Sequence, residues 1–210
     1  MNILNLYAGL GGNRKHWNGN ITSVEMDPLI AGIYEDRFIK DHVVVGDAHL
    51  FLEENFNDYD FIWSSPPCQT HSSFRQNMNV RYKGTSAVYP DMKLYQEIVF
   101  LKANCSQKKW AVENVNPYYE PLIEPSAKLG RHLFWSNFHI SYFDFKHQEK
   151  IREAQIPQLS KYHGINLSKY KIPNKRQLLR NCVDADLGLH VMNCAMGIKQ
   201  ESNQLSLFGE

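Results

Sequence analysis

Apolar and polar positions along the first half of the chain fall into two alternating patterns. Short apolar runs at residues 3–6, 21–25, 42–45, 61–64 and 110–113 are β-branched or aromatic and bounded by Gly, Asp or Pro, which predicts buried strands. Helical spacing lies between them. Residues 28–38 follow Asp27, a ready N-cap, and place Pro28 at the first helical position. Residues 91–103 set Leu94, Ile98, Val99 and Leu101 on one stripe, the spacing of a helix with a buried face. The alternation predicts an α/β fold of Rossmann-like type, a mostly parallel sheet with helices on both faces. Two segments break it. Residues 69–90 are polar and too long for an idle connection. Residues 144–173 are mixed, basic and Tyr-rich. A last helical region, 175–196, follows Pro173 and Asn174, and the final dozen residues read as a flexible tail. The units are therefore 1–143, 144–198 and 199–210.

Chemistry-bearing residues gather where the predicted strands end. The first strand runs into a glycine-rich turn with Gly9, Gly11 and Gly12, where a ligand can approach the backbone closely. The second ends in Glu25-Met26, an acid placed to bind ribose hydroxyls. After the third comes Asp47-Ala48, whose carboxylate can accept from an adenine amino group. Each has an ordinary reading, a turn or a helix cap. Three in order at successive strand ends point to a nucleoside-type cofactor. The fourth strand ends in Ser-Pro-Pro-Cys, and two prolines hold Cys68 rigidly over the cleft. A thiolate there is a strong nucleophile, particularly where a neighbouring cation lowers its pKa. The fifth ends in Glu113-Asn114. Its carboxyl can hydrogen-bond an amidine-like edge such as N3 and the amino group of cytosine, or simply cap the following turn.

Composition narrows the class. A chain of 210 residues with 43% hydrophobic and 21% charged residues has the balance of a soluble globular domain. No apolar run reaches the ~20 residues of a membrane span, and the start lacks the basic-then-apolar order of a secretory signal. Four cysteines without a CxxC pair make a metal site or disulfide framework improbable and fit a reducing cytoplasm. The net charge of +1 is unevenly spread, because residues 142–180 carry nine Lys and Arg against three Asp and Glu. Such a segment suits a polyanion, or is a solvated basic surface.

With these motifs in order, the chain resembles the DNA (cytosine-5)-methyltransferases. NLYAGLGG resembles the family's first motif, with Tyr7 where phenylalanine is usual; Glu25 and Asp47 match its ribose- and adenine-binding acids. SPPCQ matches the nucleophile motif at Cys68, with Pro66 beside the cofactor. ENV matches the cytosine-binding motif at Glu113. GRHLFWSN resembles a later motif, with Arg131 at one arginine and the second missing or replaced by His132. The resemblance covers residues 1–143. It implies an S-adenosylmethionine-dependent methyltransferase fold, with Cys68, Glu113 and Arg131 catalytic. It also implies Tyr7, Gly9, Gly11, Gly12, Glu25, Met26, Asp47, Ala48 and Pro66 around the cofactor. The substrate it implies is a cytosine flipped out of double-stranded DNA. Gln69, Ser72, Arg75, Arg81 and Lys83 would face DNA on a closing lid.

The chain also departs from the family. Its recognition region is short, with Lys175, Arg176 and Arg180 in a loose match to a further motif. These basic residues supply affinity more than sequence information, so a short target site is expected. The family's last motif, which completes the cofactor pocket, is not recognisable, and residues 186–196 are the candidate substitute. The reduced form resembles methyltransferases of bacteriophages and mobile elements, which would fit shielding DNA from host restriction. QLSLF, with Gln204, Leu205, Leu207 and Phe208, is similar to the pentapeptide by which bacterial proteins bind the replicative sliding clamp. An RNA substrate, and a non-catalytic DNA-binding relative or half of a two-chain enzyme, are the competing readings.

Overall fold

The computed structural model describes residues 1–72, 88–144 and 154–198. Its elements are β1 (Asn2–Leu6), β2 (Asn20–Glu25), α1 (Pro28–Arg37), β3 (His42–Val45), α2 (Ala48–Asn55), β4 (Phe61–Ser64), α3 (Lys93–Asn104), β5 (Lys109–Val115), β6 (Ala127–Leu129), β7 (His132–Ser136), α4 (Ile156–His163), α5 (Lys175–Asn181) and α6 (Ala185–Ala195). They build a seven-stranded sheet in the order β3-β2-β1-β4-β5-β7-β6. The first five strands pair in parallel; β7 runs antiparallel to β5, and β6 to β7. The strand order reverses between β1 and β4. In sheets of this kind, the crevice outside that point is where ligands bind.

Central strands are apolar because both faces are covered. In β1, Leu4 and Leu6 enter a core with Leu52 of α2 and Leu94, Ile98 and Leu101 of α3. Ile3 faces the opposite core, with Trp17, Trp63, Phe134 and the Leu187, Val191 and Met192 side chains of α6. A third cluster joins Leu10 and Ile33 to Leu159, Ile165, Leu167, Leu179 and Cys182. The carboxyl-terminal part of the basic segment is thus packed onto the sheet unit.

The five predicted strands and the helices at α1 and α3 are present, with ends shifted by up to two residues. The helical region expected over 175–196 consists of two helices. Cys182 is extended, and Asp184 starts α6 by accepting from Asp186 N at 2.9 Å and Leu187 N at 3.1 Å. A capping aspartate inside an apolar stripe outweighs the stripe's apparent continuity. Four elements went unread: α2, α4 and the β6–β7 hairpin. The hairpin is short and turns at Gly130, whose φ of 57° suits glycine.

Candidate active site

A cleft of about 400 Å³ opens at the carboxyl ends of β1, β2, β4 and β5. Its floor is the turn after β1, where Tyr7, Gly9 and Gly11 hold φ of 56°, 53° and 68°. Gly9 N donates to Glu25 Oε2 at 2.9 Å, and Asp27 N donates to Oε1 at 3.0 Å, so the Glu25 carboxylate is oriented by backbone from both sides. A methyl group on Gly12 would lie 2.4 Å from the Val183 carbonyl oxygen. The turn and the segment before α6 therefore meet backbone to backbone. Beneath the floor, Tyr7 and Ser64 donate their hydroxyl protons to the two oxygens of the fully buried Glu97. Burial pushes the Glu97 carboxyl up, against the two hydroxyls and His49.

The second wall carries the thiol. Asn114 Nδ2 on β5 donates to the Pro66 carbonyl at 2.9 Å, tying the Pro-Pro segment to the neighbouring strand. The Cys68 carbonyl accepts from His71 N and Ser72 N, each at 3.1 Å. His71 Nδ1 in turn lies 2.5 Å from the Tyr119 hydroxyl. The segment bearing Cys68 is thus held at both ends by β5 and the residues that follow it. Burial first, and the Glu113 charge second, push the Cys68 thiol up to about 11, with Arg131 opposing. One guanidinium does not offset burial beside a carboxylate.

Glu113, at the end of β5, is buried, and burial alone would raise its pKa. Its partners outweigh that: His132 above all, then the Ser65 hydroxyl and Arg131, hold the carboxyl below the usual range. His132 Nδ1 lies 2.6 Å from Glu113 Oε1. Arg131 Nη2 donates to the Arg180 carbonyl at 2.9 Å.

The cleft brings together Tyr7, Gly9, Gly12, Glu25, Met26, Ala48, Pro66, Cys68, Gln69, Glu113, Arg131 and Arg180. The other expected residues lie elsewhere. Gly11 faces the rings of Tyr34 and Phe38. Asp47 Oδ1 accepts from His49 N and Leu50 N to cap α2, and Oδ2 takes Lys93 Nζ at 3.2 Å. Asp47 thus caps α2, and Gly46 and Ala48 on either side of it line the cleft. Ser72 bridges to Pro117. Arg176 Nε donates to the Ala154 carbonyl at 3.0 Å, and Lys175 starts α5. Arg75, Arg81 and Lys83, and the whole QLSLF motif, lie outside the described residues.

The sequence reading missed Asn13, Asp91, Lys93 and the stretch 181–183, all lining the cleft. Residues 186–196 are the sequence's candidate to complete the site. Instead, α6 covers the sheet, and residues 181–183 ahead of it close the cleft. Glu97 had a legible signal, a carboxylate inside the apolar stripe of α3.

Two titration predictions arise from this geometry. Cys194 lies on α6, away from the cleft. Burial raises its pKa, but hydrogen bonds with His190 and Ser141 bring it down to about 7. At pH 7.5 iodoacetamide therefore modifies Cys194 at least about tenfold faster than Cys68, even allowing for the greater nucleophilicity of the more basic thiolate. Peptide mass spectrometry after a time course reads the ratio; equal rates would contradict the environments described. The second concerns His163, buried with Nε2 lacking a hydrogen-bond partner among the described residues. Burial lowers its pKa to about 4 from 6.5; Asp184 opposes this, while Arg131, Arg37 and Lys15 reinforce it. Between those values the unfolded chain holds more protons than the folded one, so stability falls as pH drops from 6.5 toward 4. By pH 5 the loss is about 2 kcal/mol. Melting at pH 7 and pH 5 should show a smaller drop for His163→Phe than for wild type.

The strand order, with the cleft at its carboxyl edge, defines a Rossmann-like methyltransferase fold. The model of the C-5 cytosine-specific DNA methylase family matches residues 1–117, more than half of the chain, and the protein belongs to that family. Among solved structures, the Entamoeba histolytica methyltransferase EhMeth is 11% identical at a TM-score of 0.48, over 95% of this chain and 99% of that one. A mutant of Spodoptera frugiperda DNMT2 is 19% identical at a TM-score of 0.38, over 54% and 35%. A protein described as a DNA modification methyltransferase encoded within an Escherichia coli prophage is 21% identical at 0.35, over 57% and 33%. This chain thus spans about a third of the last two. No curated protein matches by sequence. No helix among the described residues is long and apolar enough to cross a membrane.

Proposed function

We propose that the protein transfers a methyl group from S-adenosylmethionine to C5 of a cytosine flipped out of double-stranded DNA. One observation carries the reading: the Cys68 thiol and the Glu113 carboxylate stand at the ends of adjacent strands, in one cleft and in each other's field. The other end of that cleft fits the cofactor chemically. The oriented Glu25 carboxylate suits ribose hydroxyls, and Met26, 60% exposed beside it, offers an apolar surface to adenine. When bound there, S-adenosylmethionine supplies an electrophilic methyl on a sulfonium.

The protein's own groups handle the cytosine. Cys68 gives up its proton, which passes by way of solvent to N3 of the base; the Arg131 charge favours the loss and the Glu113 charge resists it. The thiolate then adds to C6, and C5 gains the electron density it lacks in the aromatic ring. The Glu113 carboxylate then accepts from N3–H and from the amino group, stabilising the adduct. After methylation, a solvent water takes the C5 proton, the electron pair of that bond re-forms the C5–C6 double bond as the thiolate leaves C6, and N3 returns its proton to solvent. Because the thiol is protonated in the free protein, nucleophile formation belongs to the encounter with substrate, which protects it from oxidation. Gln69 and Arg180 line the same cleft and are proposed to meet the DNA, with Lys175 supplying phosphate affinity. A role for QLSLF in clamp binding rests on the sequence alone.

The test is transfer of labelled methyl to duplex DNA and to RNA of the same sequence, followed by nucleoside mass spectrometry. The reading expects 5-methylcytosine in DNA. Label in RNA only, or on an exocyclic amine, would overturn it.

A further inference from the structure

We propose that His132 is the positioning residue that aims Glu113 at the target base, which rests on the function proposed above. His132 opens β7, paired across from Val115, and is buried. Its two ring nitrogens have different partners. Nδ1 lies 2.6 Å from Glu113 Oε1, and Nε2 accepts from Arg131 Nε at 3.3 Å. A guanidinium has no acceptor, so Nε2 accepts from Arg131, and Nδ1 carries the proton directed at Glu113. The tautomer is set by Arg131, and Nδ1–H donates to Glu113.

Arg131 is itself anchored by the Arg180 carbonyl at the end of α5. A continuous chain of hydrogen bonds therefore runs from the closing segment, through Arg131 and His132, to the carboxylate. Holding Oε1 of a planar carboxylate sets the direction in which Oε2 points. The contribution of His132 is orientation, together with stabilisation of the Glu113 charge. An arginine at this place would not reproduce it. It would give Arg131 no acceptor and set two guanidinium groups side by side.

The experiment compares wild type, His132→Leu and His132→Asn as full chains, with duplex DNA and labelled cofactor. Leucine removes both bonds. Asparagine keeps a donor close to the Nδ1 position. Leucine is expected to lower kcat by about 10- to 100-fold while KM for DNA and cofactor stay within about twofold. Asparagine should recover kcat to within about fivefold of wild type. Cofactor affinity and melting temperature serve as checks on folding. If leucine unseats the strand, His132→Gln takes its place with the same expected loss, since its amide reaches the Nε2 position instead. Wild-type turnover in the leucine variant, a loss confined to KM, or an equal loss in the asparagine variant would overturn the proposal. Failure of the wild-type protein to methylate any nucleic acid would instead remove the function on which it rests, and would be seen before any variant was compared.

Discussion

Replacing Cys68 by alanine abolishes methyl transfer, by about 10⁴-fold or more, while cofactor and duplex binding persist. The expectation rests on what the substitution leaves in place. The turn at 68–72 is anchored through the Cys68 backbone carbonyl, and the Pro66 carbonyl is held by Asn114. Neither bond involves the thiol. The variant should therefore keep its melting temperature and the shape of its cleft. Only the atom that adds to C6 is lost. Serine at this place retains a hydroxyl but not the nucleophilicity of a thiolate, and should be nearly as inactive. Turnover surviving in the alanine variant would contradict the covalent route, whereas loss of folding would contradict the placement of Cys68.

Gly188→Ala should destabilise the protein by about 3 kcal/mol or more, lowering the melting temperature by about 6–12 °C. An added methyl would stand 2.1 Å from the Asn13 carbonyl oxygen and 2.7 Å from its Cα. These are backbone atoms, and Asn13 is fixed further by its side-chain bond to Asn5 on β1 at 2.9 Å. Neither side can yield by rotating a side chain. Separating α6 from the turn would also pull away residues 181–183, so cofactor affinity should fall with stability. Gly32 in α1 is the control, since a methyl there meets nothing within 4 Å. Gly32→Ala should be neutral or stabilising by up to about 1 kcal/mol, because it removes unfolded-state freedom.

The parts of the fold that were legible in the sequence are those whose burial is decided locally. Strands covered on both faces must be apolar, and so β1, β2, β4 and β5 show as runs. The glycine turn, Glu25, Cys68 and Glu113 were legible because each ends such a run. What escaped detection depends on tertiary partners. The hairpin strand β7 lies in a stretch read as a motif, and its role as the partner of Glu113 follows from antiparallel pairing that no local pattern announces. Helix α2 is short and mixed, and its cap, Asp47, stands beside the cleft-lining Gly46 and Ala48. The closure of the cleft by residues 181–183 depends on the break at Cys182, which the apolar stripe conceals.

The central claim is that Cys68 adds to C6 of a DNA cytosine. The direct measurement uses a duplex with 5-fluorocytosine at the target position, the full-length protein and S-adenosylmethionine, followed by mass spectrometry of the digested adduct. Fluorine at C5 cannot depart as a cation, so elimination stops and the covalent intermediate persists. The account predicts a cofactor-dependent adduct on the peptide containing Cys68, with the methyl group already transferred to the base. Transfer of methyl to ordinary cytosine in the same duplex, with no adduct on Cys68, would contradict it.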